Sequence, residues 1–261
     1  MGISQSLSGH RALICGASVG IGRATAITLA EQGADCIILA RRLEQLQAVK
    51  HEIESIGGTA SIIVGDLDQR EEVLKNITTE LQQGPISILI NNTGGPKSGP
   101  LIETSEEALL HAFSRHVLSA HRLTQILLPG MIANDYGRII NVLSTSVYEP
   151  IPNLGVSNTT RGAMASWAKS IAKELPPRIT INNVLPGFTD TERLHTLQKN
   201  RANNTGTSID AIQEAWLSAV PEGRFATAME IAATIAFLAS PAAEYIRGVS
   251  LPVDGGRLKS I

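Results

Sequence analysis

The stretch Ala12-Leu-Ile-Cys-Gly-Ala-Ser-Val-Gly-Ile-Gly-Arg23 decides the fold of this chain. It opens with a short apolar run that does not alternate with polar residues, which predicts a parallel strand buried on both faces. Three glycines follow, and an apolar pattern of helical period then covers residues 21–29. This order of strand, glycine turn and helix is typical of the first unit of a nucleotide-binding α/β sheet.

The three glycines each have a physical role in such a turn. Gly16 permits the tight turn, Gly20 lets the backbone approach a ligand closely, and Gly22 lets the helix pack on the strand. The helix N-terminus offers unpaired N–H groups and a positive dipole end to a pyrophosphate. The spacing is G-x-x-x-G-x-G, not the common G-x-G-x-x-G, so the assignment needs support from other motifs.

Length and composition narrow the class of protein. The 261 residues suffice for one large α/β domain over 1–261, and 43% hydrophobic with 18% charged residues is an ordinary globular balance. A net charge of −2 gives no indication of binding to nucleic acid or to an anionic membrane.

No apolar run approaches the roughly 20 residues of a membrane span, and no signal peptide precedes the first strand, so we expect a cytoplasmic protein. Cys15 and Cys36 fall in predicted strands and are expected to be buried thiols.

Strand and helix patterns alternate along nearly the whole chain, which predicts a doubly wound parallel sheet in three αβα layers. The predicted strands cover 12–15, 35–40, 60–65, 86–90, 138–143, 179–185 and 249–253. The predicted helices cover 21–29, 43–56, 70–81, 105–132, 153–175 and 227–239. Residues 189–220 are polar and have only a weak helical pattern. No repeat or linker interrupts the chain, so a single domain is expected.

Six motifs at the predicted strand ends carry a resemblance to a known family. They are C-G-A-S-V-G-I-G (15–22), Asp66-Leu67, N-N-T-G (91–94), G-R-I-I-N-V-L-S (137–144), N-N-V-L-P-G (182–187) and V-D-G-G (253–256). Over nearly its whole length the chain resembles the short-chain dehydrogenase/reductases, and within them the 3-oxoacyl carrier-protein reductases. The resemblance implies a Rossmann sheet of seven parallel strands in the order 3-2-1-4-5-6-7, with the ligand beyond the carboxyl ends of the strands.

The resemblance also implies the residues that bind the dinucleotide. The backbone around the glycine turn would hold the pyrophosphate, the motif after the third strand would flank the adenine, and the motif after the fourth would line the adenosine ribose. The motif after the sixth strand would hold the nicotinamide carboxamide. These positions are Gly16, Ser18, Val19, Gly20, Ile21 and Gly22; Asp66 and Leu67; Asn92, Thr93 and Gly94; and Pro186, Gly187, Thr189 and Thr191.

The end of the second predicted strand favours NADP(H) over NAD(H). Members that use NAD carry an acidic residue there, whereas this chain has Ala40 followed by Arg41 and Arg42. A guanidinium suits a 2′-phosphate, and the missing carboxylate removes a repulsion. The alternative is that both arginines form a solvated helix start. Val19 stands where NADP-preferring members often have Lys or Arg, so one of two usual signals is present.

The proton-transfer residues depart from the family pattern. The family has Ser, then Tyr thirteen residues on, then Lys four later, with an Asn from the preceding long helix. Here Ser144 is in place, but Ser157 stands at the Tyr position and Arg161 at the Lys position, and the Asn position falls on His116. The Ser hydroxyl is a weaker acid than the Tyr phenol, and the Ser side chain is shorter. A positioned acid increases the rate by about 10²–10⁴-fold. Arg161 could still bind the nicotinamide ribose, but its pKa prevents proton shuttling.

Three interpretations remain open. In the first, the protein is an oxidoreductase with a substitute acid, either Tyr148 or His116, which could titrate near neutrality. In the second, it binds a dinucleotide but is catalytically impaired. The third, a non-redox activity, ranks last: halohydrin dehalogenases also carry Arg at the Lys position but keep the Tyr and lack the dinucleotide loop. Ser157 could also be only a helix cap, and Tyr148 and His116 only packing residues.

The resemblance sets the expectations for substrate and assembly. Residues 189–220 lie where the family has its substrate lid, and they include Arg193, His195, Lys199 and Arg201. A small keto or hydroxy compound is the default substrate, by analogy of fold alone. Members of the family commonly form dimers or tetramers, so a homodimer or homotetramer is expected. We expect no metal, nucleic acid or membrane partner.

Overall fold

A computed structural model describes residues 6–260 and forms one sheet of seven parallel strands in the order β3-β2-β1-β4-β5-β6-β7. The strands are β1 (Arg11–Cys15), β2 (Asp35–Ala40), β3 (Thr59–Val64), β4 (Ile88–Asn91), β5 (Gly137–Val142), β6 (Ile179–Pro186) and β7 (Ser250–Val253). The predicted Rossmann-type fold and its strand order are confirmed. The strand order reverses between β1 and β4, where an open sheet of this type leaves a crevice for a ligand.

Helices cover both faces of the sheet. They are α1 (Gly20–Glu31), α2 (Leu43–Ser55), α3 (Arg70–Leu81), α4 (Glu106–Phe113), α5 (Ser119–Ala133), α6 (Gly155–Glu174), α7 (Glu192–Thr205), α8 (Ile209–Leu217) and α9 (Ala228–Ala239). Alternate residues of β1 enter two different cores: Ile14 packs with residues of α1, α2 and α9, and Leu13 with residues of α3, α5 and α6. Within residues 6–260, no helix has both the length and the apolar character needed to span a membrane.

Both cysteines are buried in these cores as free thiols, as predicted. Burial raises the pKa of Cys15 to about 12, because the apolar surroundings disfavour the thiolate. The pKa of Cys36 is raised by the same cause, and further by the charge of Asp35. Both side chains therefore stay protonated at neutral pH and act as small apolar packing groups.

Two predicted segments differ from the structure. The single helix expected over 105–132 is interrupted by a π-helical turn at Ser114–Leu118, between α4 and α5. The polar stretch 189–220, expected to be only weakly helical, contains α7 and α8. Hydrophobic periodicity is weak in α7 because most of its residues are polar, and one of its three buried residues is Gln198. Polar caps mark the helix ends instead: Thr191 and Ser208 cap the N-termini, and Gly206 ends α7 with φ of 66°.

A row of hydrogen-bonded polar side chains crosses four strands of the sheet, from the carboxyl end of β4 to the first residue of β7. The Asn91 amide donates to Asn141 Oδ1 at 2.8 Å, and the Asn141 amide donates to Asn183 Oδ1 at 2.8 Å. The Asn183 amide then donates to Ser250 Oγ at 2.9 Å. The three asparagines are buried, so these bonds satisfy groups that would otherwise be costly inside the sheet. They also align the strand ends that support the cavity described next.

Candidate active site

A cavity of about 640 Å³ lies across the carboxyl ends of β1, β2, β4, β5 and β6. Loops that leave these strands line it, together with the first turns of α1, α6 and α7. Most of the predicted site residues meet here: Gly16, Ser18, Val19, Gly20, Ile21, Arg41, Arg42, Asp66, Leu67, Asn92, Thr93, Gly94, Ser144, Ser157, Arg161, Pro186, Gly187, Thr189 and Thr191. Gly22, His116 and Tyr148 do not line this cavity.

The glycine turn has the geometry that a dinucleotide needs. Gly16 and Gly20 adopt positive φ angles of 64° and 55°, which L side chains disfavour. A Cβ on Gly22 would lie 2.1 Å from the carbonyl oxygen of Gly16, so this glycine allows α1 to pack on the turn. A Cβ on Gly94, which lines the cavity, would meet no protein atom within 4 Å. Protein packing therefore leaves open space beside Gly94, in which a flat ligand group would fit.

The end of β2 places two guanidinium groups at one side of the cavity. The Arg41 side chain is 63% exposed, and its Nη1 lies 3.6 Å from Asp66 Oδ2. Arg42 is also exposed and directly precedes α2. Asp66 pairs as well with Arg115, at 3.7 Å. The ion pair between Arg41 Nη1 and Asp66 is thus long and exposed, and Arg41 also lines the cavity.

Ser157 and Arg161 form a hydrogen-bonded pair on α6. They lie one helical turn apart and therefore share a face of the helix, and Arg161 Nε donates to Ser157 Oγ at 3.2 Å. Arg161 Nη1 donates to the carbonyl oxygens of Val142 and Leu143 at 3.0 and 2.9 Å. Because α6 begins at Gly155, Ser157 is inside the helix and does not cap it, contrary to one of the alternatives above.

The charge of Arg161 persists at neutral pH. Burial and, as the smaller cause, the positive charge of Arg193 together lower the pKa of Arg161 to about 10. A pKa of about 10 keeps the guanidinium protonated. Ser157 Oγ accepts a hydrogen bond from this cation, so its own O–H can donate into the cavity that Ser157 lines.

His116 does not titrate near neutrality, so that part of its predicted role is wrong. The side chain is buried in the π-helical turn, and its Nδ1 lies 2.6 Å from Thr93 Oγ1. Burial, together with the charges of Arg161, Arg115 and His111, lowers the pKa of His116 to about 3. The imidazole is therefore neutral, and its hydrogen-bond partner is the side-chain hydroxyl of Thr93. It holds Thr93, which does line the cavity.

The two remaining catalytic candidates are placed differently. Ser144 lines the cavity, and its Oγ accepts from the backbone N–H of Ser146 at 3.1 Å, which leaves its own O–H free to donate. Tyr148 is half exposed outside the cavity, and its hydroxyl donates to the carbonyl oxygen of Ser250 at 2.9 Å. Its proton is thus already engaged on β7, which contradicts Tyr148 as the substitute acid.

The structure adds cavity residues that the sequence did not assign. Phe188 and Trp216 stack with ring centroids 4.8 Å apart, and Arg257 lies over the Phe188 ring at 4.7 Å. Arg193, Arg201 and Glu192 line the cavity from α7. The arginines of residues 189–220 were visible in the sequence, but nothing in their spacing showed which of them face a cavity. Among residues 6–260, no cluster of three or more His, Cys, Asp or Glu side chains could hold a metal ion.

Comparison with known proteins identifies the family. A family model described as enoyl-(acyl carrier protein) reductase matches residues 16–257. The 3-oxoacyl-[acyl-carrier-protein] reductase FabG of Vibrio cholerae is 37% identical over 255 residues, covering 97% of this chain and 98% of that protein. The NADPH-dependent reductase BacG of Bacillus subtilis is 34% identical over 261 residues, covering 98% of this chain and all of that protein.

Solved structures of reductases also superpose closely on this chain. YwfH, an NADPH-dependent reductase involved in bacilysin biosynthesis, superposes with a TM-score of 0.92 at 30% identity, covering 97% of this chain and all of that one. L-sorbose reductase from Gluconobacter frateurii, in complex with NADPH and L-sorbose, gives a TM-score of 0.90 at 28% identity with full coverage of both chains. By its fold, its strand-end motifs and these matches, the chain belongs to the short-chain dehydrogenase/reductase family of oxidoreductases.

Proposed function

We propose that this protein is an NADP(H)-dependent reductase of a carbonyl compound, in which the Ser157–Arg161 pair replaces the Tyr and Lys of the family. The observation that carries the cofactor assignment is the pair Arg41 and Arg42 at the end of β2, beside a glycine turn of the required geometry. A 2′-phosphate binds well to such guanidinium groups. The relatives named as NADPH-dependent support the same assignment.

The residues of the cavity have separable roles in this proposal. The N-terminus of α1 and its glycine turn hold the pyrophosphate, and the backbone near Gly94 and Gly187 accommodates the two ribose-bearing halves. When bound, a reduced nicotinamide supplies the hydride. Ser144 and Ser157 each donate an O–H hydrogen bond to the substrate oxygen as negative charge develops on it. Arg161 orients Ser157 and adds a positive field at the same place.

The cavity also favours a second candidate function. None of the three tyrosines in the chain lines it, and His116 is neutral and outside it. A protein that binds NADP(H) without turnover, as a sensing or partner subunit, is consistent with that lack of an acid. The two functions share the cofactor and differ in whether Ser157 supports catalysis.

A titration with NADPH and NADH, followed by cofactor fluorescence, tests the shared part. Arg41→Ala is expected to weaken NADPH binding roughly 3- to 30-fold, because it removes a charge-assisted contact that solvent partly screens. Binding of NADH should change little. Arg122→Ala is the matched control, since Arg122 is an exposed guanidinium on α5 that does not line the cavity. Equal affinity for both cofactors in the unmodified protein would contradict the NADP(H) assignment, and no binding of either would overturn the proposed function.

A further inference from the structure

Arg193 presents a guanidinium to the cavity without an acidic partner. It lies in the first turn of α7, and its only hydrogen bond within residues 6–260 runs from Nη2 to the carbonyl oxygen of Pro96, at 2.9 Å. No carboxylate oxygen of the described residues lies within 4 Å of it, whereas Arg41 and Arg115 both pair with Asp66. The other acid of the cavity, Glu192, forms no ion pair in this part of the chain. Nε and Nη1 of Arg193 are therefore available to a ligand.

Other guanidinium groups line the same cavity without an ion pair among residues 6–260, and Arg161 and Arg257 are two of them. Arg161 uses Nε and Nη1 on Ser157 and on backbone carbonyls, and its charge interacts unfavourably with that of Arg193. Arg257 donates from Nη1 to Thr145 Oγ1 at 2.9 Å and makes no ion pair within residues 6–260. Like charges gathered around a partly enclosed space favour the binding of an anion.

The contacts of Arg193 indicate that the anion it would bind is not one of the phosphates of the cofactor. A Cβ on Gly95 would lie 3.0 Å from Arg193 Nη2, so the guanidinium rests on the loop that follows Gly94. Arg193 makes no hydrogen bond to the glycine turn, where the pyrophosphate is expected, and the 2′-phosphate is expected at Arg41. The anion at Arg193 then belongs to the second ligand, which is the substrate.

The other residues that line the cavity indicate what the rest of that ligand is like. Phe188 and Trp216 stack almost in parallel, with an interplanar angle of 3°, and both line the cavity. Leu197, also on α7, adds apolar surface. Since Trp216 and Arg257 cover the two faces of the Phe188 ring, the apolar part of a ligand would pack against the edge of this stack and against Leu197.

We propose that the substrate is a carbonyl compound that carries a carboxylate, held by Arg193 beside the apolar wall of Phe188, Trp216 and Leu197. The planar fork of a guanidinium matches a carboxylate in two parallel hydrogen bonds, which also fixes the orientation of the carbonyl. This inference rests on the proposed function, because it assigns the substrate of the same cavity. It narrows the small keto or hydroxy compound expected from the sequence to one that carries a carboxylate.

Binding of paired acids and esters tests the inference without turnover. The probes are benzoylformate, benzoylacetate and 3-benzoylpropionate, each with its methyl ester, so that the ketone and the apolar body stay constant while the charge and its distance vary. They are titrated into the NADP⁺ complex, in which a ketone cannot be reduced, and tryptophan fluorescence reports binding near Trp216. At least one acid is expected to bind roughly 10- to 100-fold more tightly than its ester, the range of a charge-assisted contact.

Variants of Arg193 test whether its side chain causes the preference for the acid over the ester. Arg193→Ala should abolish the preference for the acid and leave ester binding unchanged, and Arg193→Lys should retain only part of it. Lys199→Ala is the matched control, since it removes a positive charge from an exposed position of α7 that does not line the cavity. Equal binding of acids and esters, or no binding of any acid to a protein that still binds NADP⁺, would overturn the inference and leave the proposed function standing. Loss of NADP⁺ affinity in Arg193→Ala would instead assign Arg193 to the pyrophosphate and would also overturn it.

Discussion

Ser157 and Arg161 are the residues on which the proposed chemistry depends. The pair keeps the helical spacing of an acid and its cation, and the hydrogen bond from Arg161 Nε fixes the Ser157 oxygen. Ser157 can donate a hydrogen bond to a developing oxyanion but is a poor proton source, so solvent must complete the protonation. A substrate that is already activated, as a ketone near a guanidinium charge would be, suits such a site.

The Ser157→Ala variant separates a reductase from a protein that only binds the cofactor. If Ser157 contacts the substrate oxygen, the variant should lower kcat by roughly 10²- to 10³-fold, the cost of losing one oxyanion donor. The Kd for NADPH should not change, because the side-chain hydrogen bond of Ser157 is to Arg161 and not to the glycine turn or to Arg41. Ser166→Ala, at an exposed position of the same helix, is the control in steady-state kinetics. An unchanged kcat in Ser157→Ala would remove Ser157 from the mechanism.

His116 makes the stability of the protein depend on pH. The pKa of His116 is lowered from 6.5 to about 3 by burial and by neighbouring cations, so the folded protein holds the imidazole neutral. Between those two values the unfolded chain binds the proton that the folded protein excludes. The free energy of unfolding therefore falls as the pH is lowered from about 6.5 toward 3, by at most about 1.4 kcal/mol per pH unit for this one group.

Urea unfolding of His116→Asn at pH 7, 6 and 5 measures that contribution. Asn can meet Thr93 Oγ1 from nearly the position of Nδ1 but does not titrate, so the variant should lose less stability on acidification than the unmodified protein. His10, whose pKa is also lowered by burial, remains in both proteins and cancels in the difference. Parallel pH curves for the two proteins would show that His116 is not the group responsible.

At the scale of elements, the row of hydrogen-bonded polar side chains from Asn91 to Ser250 holds β4 to β7 in register. Asn141 is central: its amide joins Asn91 on one side and Asn183 on the other. The same strand register places Asn91 opposite Asn141 and Asn141 opposite Asn183. Since the loops that form the cavity leave these strand ends, the bonds also support the positions of the loops that carry Asn92, Ser144 and Gly187.

Replacing Asn141 by Leu tests this support, because the side chains are similar in size. The change leaves a buried donor on Asn91 and a buried acceptor on Asn183 without partners, each worth about 1–3 kcal/mol. We therefore expect the free energy of unfolding to fall by about 2–5 kcal/mol in chemical denaturation. Asn203→Leu, at an exposed position of α7, should change it by less than about 0.5 kcal/mol. A loss below about 1 kcal/mol for Asn141→Leu would mean that water satisfies the neighbours.

At the scale of the whole molecule, the sheet gathers charges that are dispersed along the chain. Although the net charge of the chain is only −2, the residues that line the cavity include seven arginines and two acids. The arginines are Arg41, Arg42, Arg115, Arg161, Arg193, Arg201 and Arg257, and the acids are Asp66 and Glu192. Parallel strands make this possible because their carboxyl ends, and hence the loops that follow, all lie at one edge. Net charge therefore says little about the ligand, whereas the charge of the cavity favours anions.

Local pattern determined much of this protein from its sequence. The order of strand, glycine turn and helix and the run of buried strands can both be seen without a structure, and so can the spacing of Ser144, Ser157 and Arg161. They can be seen because backbone hydrogen bonding and side-chain periodicity act over a few residues. The polar caps of α7 and α8 were local signals too, but hydrophobic periodicity does not detect them.

Only the tertiary structure decided which candidates face the cavity and in which state of charge. Tyr148 follows Ser144 by four residues, yet its hydroxyl bonds to Ser250 on β7, 102 residues away along the chain. His116 is neutral because burial and nearby cations disfavour its charged form, and Arg193 has no acidic partner among residues 6–260 because of where α7 places it. Side-chain direction and desolvation depend on contacts between segments far apart in the chain, and no local pattern carries that information.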